Sequence, residues 1–160
     1  MEESVLPQTL EGAGFEPAVV RQFTVFLENR VGRLQSLVRA METNQAKIIA
    51  FAIEESADSA LVRLICSDSD IGRRVLGEGG FGFSESELLA VELPKRIGEP
   101  LIAVCYALLT AEINIHYAYP LLIRPRGPAI ALYVDDPTLA AQLLIKKGFT
   151  LLGESDLKDI

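Results

Sequence analysis

From Gln22 to Glu28 apolar and polar residues alternate, with Phe23, Val25 and Leu27 on one face and Gln22, Thr24 and Glu28 on the other. That is the period of a half-buried strand. Leu34, Leu37, Val38 and Met41 then recur at i, i+3, i+4 and i+7, which predicts an amphipathic helix. Two β-prone runs, Lys47 to Ile53 and Ala60 to Cys66, flank the polar turn Glu54 to Ser59 and predict a hairpin. A second helix is expected from Asp68, carrying Ile71, Val75 and Leu76 and stopping at Gly80-Phe81, a left-handed glycine stop with an apolar contact after it. Alternation resumes from Ser84 and runs without a break to Leu93.

The same order then starts again. Gly80-Phe81 recurs 68 residues later as Gly148-Phe149, and Val62, Leu64, Cys66 and Asp68 recur as Ile130, Leu132, Val134 and Asp136. With an offset of 66, Phe23, Val25, Leu27 and Gly32 map onto Leu89, Val91, Leu93 and Gly98. With 67, Leu34, Leu37, Val38 and Met41 map onto Leu101, Val104, Cys105 and Leu108. Offsets that drift by one residue while the order holds are the mark of a duplicated unit. The second copy sharpens one helix start, Asp136-Pro137, an N-cap acid with proline at the first helical position. Strand, helix, strand, strand, helix, strand, twice over, predicts an α+β chain: two ferredoxin-like βαββαβ domains in tandem, antiparallel sheets with helices packed on one face. The expected division is an extension over 1–20, domains over 21–88 and 89–153, and a tail over 154–160. Each unit is small for an independent core, and the unbroken run at the junction predicts fused or adjacent sheets.

Composition narrows the function. The chain has 160 residues, 22 acidic and 15 basic side chains and a formal net charge of -7, which argues against nucleic acid as a partner. With one histidine, two cysteines and no tryptophan, no catalytic set, metal cluster or cofactor motif is legible. Met1 to Val20, with Pro7, Gly12, Gly14 and Pro17, has neither the basic start nor the apolar centre of a secretory signal and reads as a surface arm. The longest apolar run, Leu101 to Leu109, is about half of the roughly 20 residues that span a bilayer. Cys66 and Cys105 sit singly in apolar segments and read as buried thiols of a soluble cytoplasmic protein.

Phe23-Thr-Val-Phe-Leu-Glu-Asn-Arg-Val-Gly-Arg-Leu34 resembles the opening of an ACT domain: a strand, an Asn/Asp-x-Pro-Gly loop and a leucine-bearing helix. Glu112-Ile-Asn-Ile115, Asp135-Asp-Pro137 and Lys147-Gly-Phe149 fit the later pieces, so the chain from about Arg21 onward is similar to tandem ACT-domain proteins without a fused enzyme. Two departures stand out. Val31 replaces the usual proline, and the second loop, Pro94-Lys-Arg-Ile-Gly-Glu-Pro100, carries an extra residue after its glycine and no Asn at the cap.

The resemblance implies a regulatory protein that binds a free amino acid at strand-to-helix glycine loops. A glycine there admits close backbone approach, and the helix start offers unpaired amides and the positive dipole end to a carboxylate. The candidate residues are Asn29, Arg30, Val31, Gly32 and Arg33 in the first loop and Lys95, Arg96, Ile97 and Gly98 in the second. The resemblance adds contacts from the second strand of a neighbouring domain, around Ile48 and Ile49 or Asn114 and Ile115. Each has a plainer reading: tight turns for Gly32 and Gly98, a helix cap for Asn29, exposed charges for the basic residues. His116, without a second ligand-type residue at useful spacing, reads as structural or solvent-facing. A small ferredoxin-like enzyme, a ligand-free scaffold and an RNA-binding module use the same element order. The RNA reading lacks an RNP-type aromatic strand in Ala60 to Cys66.

The two first helices differ outside their core stripe. Gln35, Arg39 and Glu42 in copy one correspond to Ile102, Tyr106 and Leu109 in copy two. A helix apolar most of the way round is buried on more than one side: against the same helix of a second copy, against the first copy, or under the N-terminal extension. The expectation is a homodimer through sheet edges and this helix.

Overall fold

The computed structural model describes residues 14–28, 30–123 and 126–160. Asn29 and the first 13 residues of the expected arm therefore lie outside the described residues. The elements in order are β1 (Val20–Glu28), α1 (Arg33–Thr43), β2 (Ile48–Glu55), β3 (Ser59–Cys66), α2 (Ser69–Glu78), β4 (Gly82–Glu92), α3 (Pro100–Thr110), β5 (Ile115–Pro120), β6 (Ala129–Val134), α4 (Pro137–Lys146), β7 (Leu151–Leu152) and α5 (Glu154–Lys158).

Local chemistry sets the helix ends. Asp68 caps α2, its Oδ1 accepting from the Asp70 and Ile71 amides at 3.0 and 3.2 Å. Asp136 does the same for α4 through the Leu139 amide at 3.0 Å, with Pro137 in the first turn. At the far ends Gly80 (φ 71°) and Gly148 (φ 90°) turn left-handed. The next amides reach back, Phe81 N–H to Leu76 O at 3.1 Å and Phe149 N–H to Leu144 O at 3.0 Å. Both are Schellman stops.

The strands follow β2-β3-β1-β4-β6-β5, with β7 also beside β4. β4 is the hinge of the architecture. Its residues 82–88 pair antiparallel with β1, and residues 89–92 pair antiparallel with β6. One strand thus ends the first copy and opens the second, so the sheets are fused.

Three cores result. Phe23, Val25 and Leu27 pack under α1 and α2 with Leu37, Met41, Val75 and Leu76. Leu89 and Val91 pack under α3 and α4 with Val104, Leu108, Ala140 and Leu144. The third lies between the helix-free faces of the two sheet halves: Val20, Ile49, Ala50, Ile65 and Leu88 meet Ala90, Tyr119, Leu121, Ala129 and Ala131. The sheet curls back on itself, giving helices, sheet, sheet, helices. Leu157 of α5, in the stretch read as a tail, is fully buried in this middle core.

Stacking corrects two readings. Gln22, on the face marked polar, has no exposed surface, because the second sheet half covers it. Cys105, expected to be buried, is exposed, whereas Cys66 is buried. The inward stripe of α3 is Val104, Ala107 and Leu108, a rotation that turns Leu101 and Cys105 outward.

Candidate functional site

The first glycine loop sits where β1 ends against β3, Glu28 opposite Ser59. Gly32 takes the N-cap position of α1 at φ 89°, a conformation that costs other residues roughly 1–2 kcal/mol. It brings no capping side chain, and no acidic residue occupies the first turn, so the positive helix end is left for another anion. A Cβ added at Gly32 would meet nothing within 4 Å, so the turn, not crowding, requires glycine.

Two arginines border the opening. Arg30 Nε lies 2.7 Å from Glu28 Oε2, and the Arg33 guanidinium stacks 4.9 Å from the centre of the Phe81 ring. Beneath them a cavity of about 210 Å³ is lined by Leu27, Leu34, Ile53, Ala60 and Val62, with Glu55 also on its wall. On the other side of the loop a second hollow, bordered by Phe26, Gly80 and Gly82, shares Glu28, Arg30 and Arg33. Val31 is fully exposed at the loop tip.

The second loop differs in kind. Among the described residues the left-handed glycines are Gly32, Gly80, Gly127 and Gly148, so Gly98 does not repeat the Gly32 turn. The inserted Glu99 becomes the N-cap and Pro100 opens α3. The Arg96 guanidinium donates to the carbonyl of Gly148, Ile97 packs against the α3–α4 core, and Lys95 is exposed. The two loops also stand at opposite ends of the eleven-residue β4, a length of roughly 35 Å along the strand at about 3.3 Å per residue.

The strand candidates are not brought to either loop within one chain. Ile48 packs in the first helix–sheet core. Ile49 lies in the middle core, its carbonyl accepting from the Leu122 amide at 2.6 Å. On β2 it is Ile53 and Glu55, four to seven residues farther along, that reach the first cavity. Ile115 packs at the second helix–sheet core, and the exposed Asn114 donates its amide N–H to Asp135 Oδ2 at 3.2 Å. His116 does have an acidic partner: its Nε2 is hydrogen bonded to Asp135, nineteen residues away and hidden from any spacing rule.

A polar seam joins the copies, and nothing local announced it. Gln22 Nε2 donates to the hydroxyls of Tyr117 at 2.7 Å and Ser86 at 3.0 Å, and the Tyr119 hydroxyl donates to Gln22 Oε1 at 2.6 Å. Arg63 lies 4.2 Å over the Tyr117 ring and pairs with Glu54. Burial alone would lower the Arg63 pKa, but Glu54 and Tyr117 outweigh it and the net shift is upward. Burial likewise pushes the Tyr119 phenol up and the Cys66 thiol up to about 12, so Cys66 stays an unreactive thiol.

Residues 18–160 match the ACT domain pair family. The chain is an ACT domain pair. Protein BT0572 from Bacteroides thetaiotaomicron superposes on this ACT domain pair with a TM-score of 0.79 at 26% identity, covering 90% of this chain and 99% of that one. The regulatory subunit of aspartate kinase from Thermus thermophilus, in its ligand free form, gives 0.54 at 9% identity over 84% and 96% of the two chains. The alpha and beta subunits of aspartokinase give 0.51 at 13% identity over 82% and 93%. These last two share the fold. No curated protein sequence matches the ACT domain pair described above. Among its described residues, no helix is long and apolar enough to cross a membrane.

Proposed function

We propose that this ACT domain pair is a regulatory protein that binds a free amino acid at the first glycine loop and passes the event on through its assembly. The observation that carries the reading is the open cavity beside the first glycine loop, where two arginines flanking an uncapped helix start meet an apolar floor. A carboxylate placed at the α1 amides satisfies groups that the helix cannot pair itself. Family membership and the shared fold with the aspartate kinase regulatory subunit support the regulatory half. In this reading the units divide between residues 88 and 89 of β4, and residues Arg30, Gly32 and Arg33 hold the ligand. The second loop, with Arg96 engaged by Gly148, is the lesser site.

The assembly is a homodimer in which α3 meets a second copy. Ile102, Tyr106 and Leu109 are 49, 64 and 70% exposed in the single chain, on a helix with no charged residue. Light scattering tests this, and a monomeric mass at micromolar concentration would sink it.

The ligand is tested by thermal unfolding with each common L-amino acid at millimolar concentration. Saturation at a hundredfold excess over Kd stabilises the native state by about 2.7 kcal/mol. Gly32→Asp places a carboxylate where the ligand's would sit, in a residue that tolerates φ > 0, and is expected to abolish the shift. No rise in the midpoint with any amino acid would refute the reading.

A further inference from the structure

Leu34 belongs to the periodic stripe of α1, yet it is 36% exposed, and Ile53 across from it on β2 is 45% exposed. Both line the first cavity. Ile53 pairs with Val62 on β3, and Val62 belongs to the helix–sheet core, so the cavity is an extension of that core left open beside α1. Its floor is aliphatic throughout: Leu27, Leu34, Ile53, Ala60 and Val62, with no ring and no amide side chain. Its charged lining is balanced, two arginines against Glu28 and Glu55. The volume, about 210 Å³, is below the roughly 300–1,000 Å³ of pockets for drug-sized ligands.

We infer that the first cavity selects a neutral zwitterion with a branched aliphatic side chain, an amino acid of the leucine, isoleucine and valine class. The inference rests on the first loop being an amino acid site. With Arg30 paired to Glu28, Arg33 and the α1 amides are left to the ligand carboxylate, and the balanced lining adds no net charge that would favour an acidic or a basic side chain. An acidic or basic side chain would lie against Leu34 and Ile53 without a partner, and burying an unpaired charge is strongly unfavourable. An aliphatic side chain instead covers apolar surface that the chain leaves exposed to water.

The test is calorimetric titration of the full chain with L-leucine, L-isoleucine, L-valine, L-glutamate and L-lysine, and with isocaproate and isopentylamine, each lacking one charge. The aliphatic amino acids are expected to bind at least tenfold tighter than the charged ones or the truncated probes. Leu34→Ser and Ile53→Ser are each expected to weaken L-leucine binding about tenfold, the loss of about two buried methylene groups. Their melting midpoints should hold, since both side chains are already partly solvated. Ile53→Thr keeps the β-branched shape suited to a strand and serves as the milder variant, with a several-fold loss expected. Tightest binding of a charged amino acid, abolished by Gly32→Asp, would overturn the aliphatic class and leave the loop site standing. L-leucine binding indifferent to all three substitutions would overturn the cavity. No binding by any amino acid would overturn both.

Discussion

Gln22 shows how much one side chain can hold. Its amide spends both ends across the seam, accepting from Tyr119 and donating to Tyr117, and also donates to Ser86 on the neighbouring strand. Removing a buried partner leaves the others unsatisfied at about 1–3 kcal/mol per group, whereas removing all partners together can be nearly neutral. Gln22→Leu is therefore expected to destabilise the chain by about 2–3 kcal/mol in urea unfolding. Adding Tyr117→Phe and Tyr119→Phe to it should recover at least half. If the triple variant loses as much as the three single changes summed, the hydroxyls and the amide do not act as one network. At the same scale, the Gly32 turn and the Gly-Phe stops are legible in the chain because left-handed backbone singles out glycine. Gln22 is not, since its neighbours along the chain say nothing of a second sheet.

The elements carry the division of labour between copies. α1 and α3 descend from one helix, and at matching outer positions Gln35, Arg39 and Glu42 face Ile102, Tyr106 and Leu109. Copy one keeps the left-handed Gly32 loop and the open aliphatic cavity. Copy two has a reshaped loop and an uncharged outer face. If α3 forms the dimer contact, Ile102→Glu with Leu109→Glu should halve the mass seen by light scattering while the far-UV spectrum is kept. Cys105 lies within that face, beside Leu101, Ile102, Tyr106 and Leu109, and reports on it without a label. Its alkylation should be slow in the wild-type protein and at least tenfold faster in the double variant, with buried Cys66 silent in both. Equal rates in the two proteins would place the contact elsewhere. The stripe itself was readable from its spacing, but the rotation that exposes Leu101 and Cys105 was not, because a helix apolar on most sides leaves its inward face undetermined.

Across the whole molecule, stability should carry an acid-range signature from two carboxylates pulled in opposite directions. Burial raises the Glu154 pKa above its ordinary 4.5, where the side chain ties α5 to β1 through the Arg21 amide at 2.8 Å. Glu85 is lowered, chiefly by hydrogen bonds from Arg73. For Glu154 the native state binds the proton more tightly, so its contribution is present at acid pH and is lost as pH rises from about 4.5 through the folded value. Glu85 behaves conversely, contributing above its unfolded pKa and losing that contribution as pH falls through the folded one. Glu154→Gln keeps the carbonyl acceptor and removes the titration. The unfolding free energy of this variant, less that of wild type, should therefore increase as pH rises from about 4.5 and level off above the folded pKa of Glu154. Parallel profiles would show that Glu154 ionises in both states alike.

By itself the sequence determined the element order from β1 to β7, the acid caps at Asp68 and Asp136, the glycine stops, the duplication and the shared strand. All of these depend on sterics, hydrogen bonding or periodicity within a few residues, or on comparing one copy with the other. Only the tertiary structure decided that the polar-looking faces close on each other and bury Gln22. Only there do His116 and Asp135 meet, and only there are Leu34 and Ile53 left open beneath Arg30 and Arg33. Which face of an element is covered depends on partners tens of residues away along the chain. In this protein it is the curl of one shared strand that chooses them.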